Sequence, residues 1–304
     1  MQAEDQIVAV MGPTGAGKST FIEYATGNSA GTVGHGLQSF TTAIREARVP
    51  HRKKPFSVVF VDTPGFDDTE KTDVEVLAMI ADWLVTVYKE KAKLVAIIYL
   101  HRINENRMGG SLMKNLQIFS NMCGRQAMPN VVIVTTMWGE VSLSIGARRE
   151  EELKVDFWND MLANGCKIAR FEDSYESAWS IVGDLLENRT TQVLLSAEMV
   201  EDRHQLNETK AAVALNHQLQ KLVKEQKDAT RLLHEQARKQ DDQLLAERLL
   251  QQRKAIQEDI FQTQEQLRRL KIPLKRQLAS NFGSIKASHF GGLHSLRTVR
   301  SSLI

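Results

Sequence analysis

"AVMGPTGAGKSTFIEYATG" (residues 9–27) sets a glycine-rich run between a short apolar stretch and a segment of helical character. Its Gly12-Pro13-Thr14-Gly15-Ala16-Gly17-Lys18-Ser19 core fits the pattern G-x-x-x-x-G-K-S in full. A loop of this kind turns sharply at the end of a strand and points successive backbone N–H groups inward, onto phosphate oxygens. Glycines permit the close approach, and the N-terminus of the following helix adds positive potential. Lys18 then offers a point charge to the terminal phosphates, and the Ser19 hydroxyl a ligand for Mg2+. With Thr20 beside them, residues 12–20 form the expected phosphate cradle, which lies between a predicted strand and a predicted helix as the motif requires.

A second stretch, "VVFVDTPGFDD" (58–68), ends an apolar strand in Asp62-Thr63-Pro64-Gly65. A carboxylate at that strand end can hold Mg2+ through a water. Gly65, with no side chain in the way, can donate its N–H to a γ-phosphate, so loss of that phosphate would release the loop that follows. Between the two motifs lies "VGHGLQSFTTAIREA" (33–47), the expected place for a hydroxyl that completes the magnesium shell. Thr41 is the first choice there and Thr42 the second; an ordinary strand threonine is the plainer alternative.

The rest of the chain bounds what such a site can serve. With 42% hydrophobic and 25% charged residues among 304, it has the composition of a globular protein large enough for one full-sized domain and a further element. Two cysteines, Cys123 and Cys166, leave no material for a disulfide framework or a cysteine-rich zinc site. No apolar run approaches the roughly 18 residues that span a membrane. The opening "MQAEDQIVAV" leaves no room for a signal peptide, so a cytoplasmic location is expected.

From residue 1 to about 190, apolar β-rich runs alternate with amphipathic stretches. Strands are expected at 6–11, 56–63, 93–100, 130–136 and 166–171, with a more alternating edge strand at 41–49. Helices are expected at 18–27, 72–91, 109–122, 148–163 and 175–188. This pattern predicts a three-layer α/β domain of the P-loop NTPase class, its sheet mostly parallel and covered on both faces. Residues 191–280 are expected to be helical. Leu215, Leu219, Leu222, Ala229 and Leu233 form one heptad-like seam, and Leu249, Ile256, Ile260, Leu267 and Leu270 a second, out of phase with it. Gln226, Gln236 and Gln240 interrupt the pattern, so a coiled coil and a helical hairpin packed on the first domain both remain open.

Residues 281–304 are rich in Gly and Ser and expected to be flexible. No acid follows Glu265, while eight Lys and Arg do, which leaves about −6 for the rest of a chain of net charge +2. That basic tail could touch an anionic membrane surface, or simply be solvated. Nucleic acid is not an expected partner, because no interleaved aromatics or recognisable module accompany the charge. The histidines, His51, His101, His204, His217, His234, His289 and His294 among them, show no zinc spacing and are expected to be mostly solvated.

Taken together, "GPTGAGKST", Ser39-x-Thr41, "DTPGFDD", "HRINENRMGG" (101–110) and "VVIVTTMW" (131–138) resemble the G domain of septin-like GTPases. The similarity is greatest to the immunity-associated nucleotide-binding GTPases, with chloroplast import-receptor GTPases and septins further off. It spans roughly residues 5–190 and implies GTP or GDP with Mg2+, slow hydrolysis, and pairing of two G domains across their nucleotide faces. It implies phosphate and metal roles for Gly17, Lys18, Ser19, Asp62 and Gly65, with Thr41 as the switch ligand. Phe66 stands where Ras-type proteins carry a water-orienting glutamine, which implies slow intrinsic turnover. Arg102 matches a family arginine that reaches the partner's nucleotide, and His35 could assist; a solvated loop arginine or a simple interface ion pair is the plainer alternative.

One departure concerns the base. Where the family reads guanine with an aspartate, this chain has Thr135, Thr136, Met137 and Trp138. Trp138 could stack on a base without selecting it. Phe171, Glu172 and Asp173, after the last strand, stand where relatives place residues against the base, and Glu140 offers another carboxylate. GTP is favoured by the resemblance and ATP stays open. Three functional classes follow: a hydrolysing switch, a nucleotide-regulated assembly scaffold with negligible turnover, and an ATP-dependent small-molecule kinase. The Asp-Thr-Pro-Gly element and the absence of a visible acceptor site fit the kinase poorly. In each case Lys18→Ala is expected to abolish binding of a fluorescent triphosphate while the circular dichroism spectrum stays that of the wild type.

Overall fold

Successive residues of a strand face opposite sides of a sheet, and the first strand buries both sets. In β1 (Gln6–Met11), Ile7 and Ala9 enter one apolar layer, while Val8 and Val10 enter the other. A strand wrapped in this way must lie inside a sheet with helices on both faces. The computed structural model describes residues 5–27, 44–68, 70–183, 185–187, 189–239 and 243–271, with the side chains of 243 and 244 left aside. His35, Ser39, Thr41 and Thr42 of the stretch proposed for the first switch, and the basic tail at 281–304, fall outside the described residues.

Five further strands, β2 (Arg45–Pro50), β3 (Ser57–Asp62), β4 (Lys93–Arg102), β5 (Val131–Thr136) and β6 (Lys167–Arg170), join β1 in the order β2-β3-β1-β4-β5-β6. All neighbours run parallel except β2 and β3. The expected edge strand is thus at the edge, and its exposed Arg45, Glu46 and Arg48 suit a border that must not recruit another strand. Helices α1 (Lys18–Thr26) and α6 (Tyr175–Gly183) cover the Val8 face through Phe21, Ile22, Ala178 and Ile181. The other face lies under α2 (Asp73–Lys89) and α3 (Gly110–Cys123), with Leu77, Leu84, Leu116 and Phe119 in its core. The Thr72 and Glu75 side chains cap α2 reciprocally, each bonding a backbone amide of the other's residue.

The single helix expected at 148–163 is two. Helix α4 (Leu143–Asp156) starts earlier, behind the cap residue Ser142, and α5 (Asn159–Ala163) follows a break. The break turns Trp158 fully into the core, a burial that outweighs helix continuity. The expected helix at 175–188 stops at Gly183.

After the short α7 (Leu194–Val200), two long helices form an antiparallel hairpin, α8 (Lys210–Arg238) and α9 (Gln243–Leu270). Its base packs on the first domain. Ala211, Ala212, Leu215 and Leu219 of α8 and Leu270 of α9 share one core with α2 and α3. Gln218 bonds Gln117 of α3 at 2.6 Å, and Arg269 bonds Glu75 of α2 at 2.7 Å. Leu222, expected in the seam, is exposed instead, and Val223 is buried in its place. No helix among the described residues is long and apolar enough to cross a membrane. Leu215→Ala is expected to cost about 2–5 kcal/mol, as for a fully buried leucine, whereas Leu232→Ala, at an exposed position, should stay within about 0.5 kcal/mol. Urea unfolding of the two variants checks the contrast.

Candidate functional site

The phosphate loop runs from the end of β1 into α1, as its sequence requires, and its curve depends on glycine. Gly12 has φ +139°, and a Cβ there would lie 2.6 Å from the Leu100 carbonyl oxygen of β4. Gly15 and Gly17 follow at φ +77° and +87°, in the left-handed region that other residues rarely adopt. Pro13 is buried, and the Ala16 methyl enters the core while its carbonyl accepts from Thr136 Oγ1 at 3.1 Å. That bond moors the end of β5 to the loop. Thr20 lies half-buried in the first turn of α1.

Lys18 is buried beneath the loop, where its ammonium donates to the Gly12 and Pro13 carbonyls at 3.1 and 2.9 Å. Burial pushes its pKa down from 10.5 to about 8; the Asp62 and Asp68 carboxylates pull it back up, and the Arg102 charge adds to the lowering. Ser19 Oγ donates to Asp62 Oδ2 at 2.6 Å, so two hard oxygen donors from separate elements meet at one point. This donor set fits Mg2+, which prefers one or two protein oxygens and keeps the rest of its shell for water and phosphate. The Thr14 hydroxyl oxygen nearby is buried without a hydrogen-bond partner, as a polar group facing a ligand would be.

The Asp62–Gly65 turn closes directly on this loop. A Cβ on Gly65 would sit 2.5 Å from both the Thr14 nitrogen and its Oγ1, and 2.8 Å from Lys18 Nζ. The Thr14 amide donates to the Phe66 carbonyl at 3.0 Å. Thr63 anchors the turn through its hydroxyl, 2.9 Å from the Val10 carbonyl. The Phe66 ring itself faces away, buried in the core beneath α2. Beyond it the chain is clamped. Asp67 accepts from Lys114 Nζ at 2.9 Å and Asn115 Nδ2 at 2.7 Å, and its own amide donates to Asp73 at 3.0 Å. Lys114 also pairs with Asp73, and the two carboxylates raise its pKa against the opposing effect of burial. This clamp was not read from the sequence. The doubled Asp67-Asp68 hints at it, but nothing local marks Lys114 or Asn115 as its partners.

Arg102, the last residue of β4, lies beside its own P-loop, pairing with Glu105 three residues on. Its neighbour His101, expected to be solvated, is buried edge-on against Trp158, and burial lowers its pKa to about 4.

Toward the base side the expected residues are placed differently. The Trp138 ring is covered by the Arg170 guanidinium, 4.2 Å from its centroid, and its edge packs on Gly146, where a Cβ would lie 2.6 Å away. Its indole N–H donates to Thr135 Oγ1 at 3.0 Å. Arg170 in turn makes a two-pronged bond to the buried Glu150, at 2.6 and 3.1 Å. Burial would raise the Glu150 carboxyl, but Arg170 and Lys154 outweigh it and hold it below the ordinary value. Phe171, expected against a base, is buried instead, with its ring edge-on to Phe21 and Tyr24 under α1. Glu172 and Asp173 remain exposed after β6, Asp173 with φ +46°. Glu140 is exposed and bonded to Asn104.

The fold is that of a P-loop GTPase G domain, followed by a C-terminal helical hairpin. Residues 7–135 match the family model described as 50S ribosome-binding GTPase. No curated protein matches the chain. Among solved structures, one of the chloroplast translocon components Toc33 and Toc159 is similar at TM-score 0.50 and 15% identity, over 62% of this chain and 86% of that one. Toc33 from Arabidopsis thaliana in complex with Mg2+ and GMPPNP gives 0.44 at 18% identity, over 56% and 72%. Era from Aquifex aeolicus gives 0.45 at 16%, over 62% and 58%.

The lowered Lys18 pKa sets a pH dependence with two opposite signs. Between about 8 and 10.5 the unfolded chain holds more protons at this group, so its contribution to ligand-free stability rises with pH. Triphosphate affinity needs the ammonium, so it is expected to fall above pH 8 by up to about tenfold per unit. Fluorescence titrations from pH 7 to 10 check this, with Lys18→Ala showing no binding at any pH in the range.

Proposed function

We propose that the chain is a magnesium-dependent GTP-binding protein of the septin-like branch, nearest in type to the immunity-associated nucleotide-binding GTPases, that hydrolyses GTP slowly. The observation that carries the reading is the closure of the Asp62–Gly65 turn on the P-loop. It brings a magnesium pair, a buried lysine and a main-chain sensor within a few ångströms of one another. In this reading Gly12 to Thr20 hold the phosphates, Ser19, Asp62 and Thr41 complete the metal shell, and Gly65 reports the γ-phosphate. The Phe66 carbonyl on the Thr14 amide marks a turn drawn in against the loop, which a third phosphate would have to displace. Slow turnover is supported by Phe66: a buried phenyl ring cannot orient water.

Self-association through the nucleotide face is part of the proposal. The chloroplast translocon components compared above are described as proteins in which dimerisation is important for GTPase activity. The chain divides, on this reading, into a G domain at 1–190, a helical arm at 191–280 that serves a protein partner, and a basic tail at 281–304 that can touch an anionic membrane from the cytoplasm. A scaffold with negligible turnover shares the same site and differs only in rate.

A second nucleotide, ATP, is favoured by one observation. Among the described residues the carboxylates beside Trp138 are engaged, Glu150 with Arg170 and Glu140 with Asn104. Calorimetry with GTP, GDP and ATP in Mg2+ separates the two. GTP and GDP are expected to bind at least about tenfold tighter than ATP, through Glu172, Asp173 or a Glu140 released from Asn104, and equal affinities would remove the guanine assignment. Specific turnover is expected to rise with protein concentration; a constant rate removes the dimer.

A further inference from the structure

Arg102 ends the strand that runs between β1 and β5, so its side chain emerges at the flank of the phosphate loop. It does not extend away from the domain. Its Nη1 lies 3.2 Å from where a Cβ on Gly15 would be, against the exposed crown of the loop, closer than a side chain at residue 15 would comfortably allow. Its charge is close enough to help lower the Lys18 pKa. Of the guanidinium's donors, one Nη2 hydrogen is held by Glu105, while Nε is buried with no hydrogen-bond partner. A buried unmet donor is costly, and here it belongs to a cation beside a loop built to collect anions.

We propose that Arg102 is a phosphate ligand for the nucleotide held by its own chain, with Glu105 as the carboxylate that competes for its guanidinium. The assignment rests on the nucleotide reading above and deepens it. It differs from the expectation drawn from resemblance, in which this arginine serves a partner's nucleotide. The planar fork suits phosphate oxygens, and the Gly15 notch lets it approach the loop without a clash. When a triphosphate arrives, its charge displaces Glu105, whose side chain is partly exposed and finds solvent. No bond is made or broken in this exchange; a guanidinium trades one anionic partner for another.

The test uses the full chain and a fluorescent non-hydrolysable GTP analogue with Mg2+. Arg102→Ala is expected to weaken binding by about tenfold or more, equally at every protein concentration, with an unchanged thermal midpoint. Arg102→Lys should fall between the two, since it keeps the charge and loses the fork. Glu105→Gln should tighten binding several-fold, an effect that a merely structural arginine would not transmit. Mixing separates the own-chain from the partner role: Lys18→Ala supplies an intact Arg102 but binds no nucleotide, and adding it to Arg102→Ala should restore nothing. Recovery on mixing, or wild-type affinity in Arg102→Ala, overturns the assignment while leaving nucleotide binding in place. A wild-type chain that binds no purine triphosphate removes both.

Discussion

Burying the Lys18 ammonium is the constraint around which the nucleotide face is arranged. A buried cation is expensive unless it is bonded and balanced, and two loop carbonyls with the nearby Asp62 and Asp68 carboxylates do both. Those partners come from different parts of the chain, so β1, the loop, α1 and the end of β3 must all be in register for the site to exist. Gly12 tightens the requirement. With a backbone carbonyl of β4 where its side chain would be, the loop can lie this close to the sheet only because residue 12 is glycine. The energy that holds Lys18 in an unfavourable place comes from the apolar layers on either side of β1. The fold supplies stability, and the site draws on it.

The same logic explains the clamp behind the Asp62–Gly65 turn. Asp67 adopts a left-handed backbone at φ +57°, uncommon outside glycine though aspartate and asparagine reach it more readily than other residues. Three bonds, from Lys114, Asn115 and through Asp73, hold it there. The turn is therefore fixed at both ends, by Thr63 on β1 and by Asp67 on α3, and only Pro64 to Phe66 lie between the anchors. Movement in response to a phosphate is confined to that short stretch, unless the Lys114 pairs break.

How far the sequence could be read follows from how local each signal is. The P-loop, the Asp62 turn and the parallel core announce themselves through glycine spacing and apolar runs, and these elements stand where expected. Other placements are decided by burial from a distance, which no local pattern carries. Trp158 breaks a helix that propensity would continue, because the core has room for an indole. Val223, rather than Leu222, is the buried position, because the α8 seam follows the base that docks on α3. Phe171 is drawn into the core by Phe21 and Tyr24, and Trp138 is taken up by Arg170 and Gly146. Neither pairing has a signature along the chain. The Glu150–Arg170 bond joins residues 20 positions apart on different elements, and only the fold brings them together.

The hairpin is fastened at one end. Helix α8 has 29 residues, and the last of them to be buried is Val223, about midway along it. At a rise of 1.5 Å per residue the whole helix is about 43 Å long. Beyond Val223 the remaining residues, about 15, make an arm of about 22 Å, paired with α9, whose fulcrum lies on α2 and α3. A tilt of about 5° there carries the tip through about 2 Å by the helix geometry. Displacements too small to alter a contact near the sheet are thus enlarged at the far end.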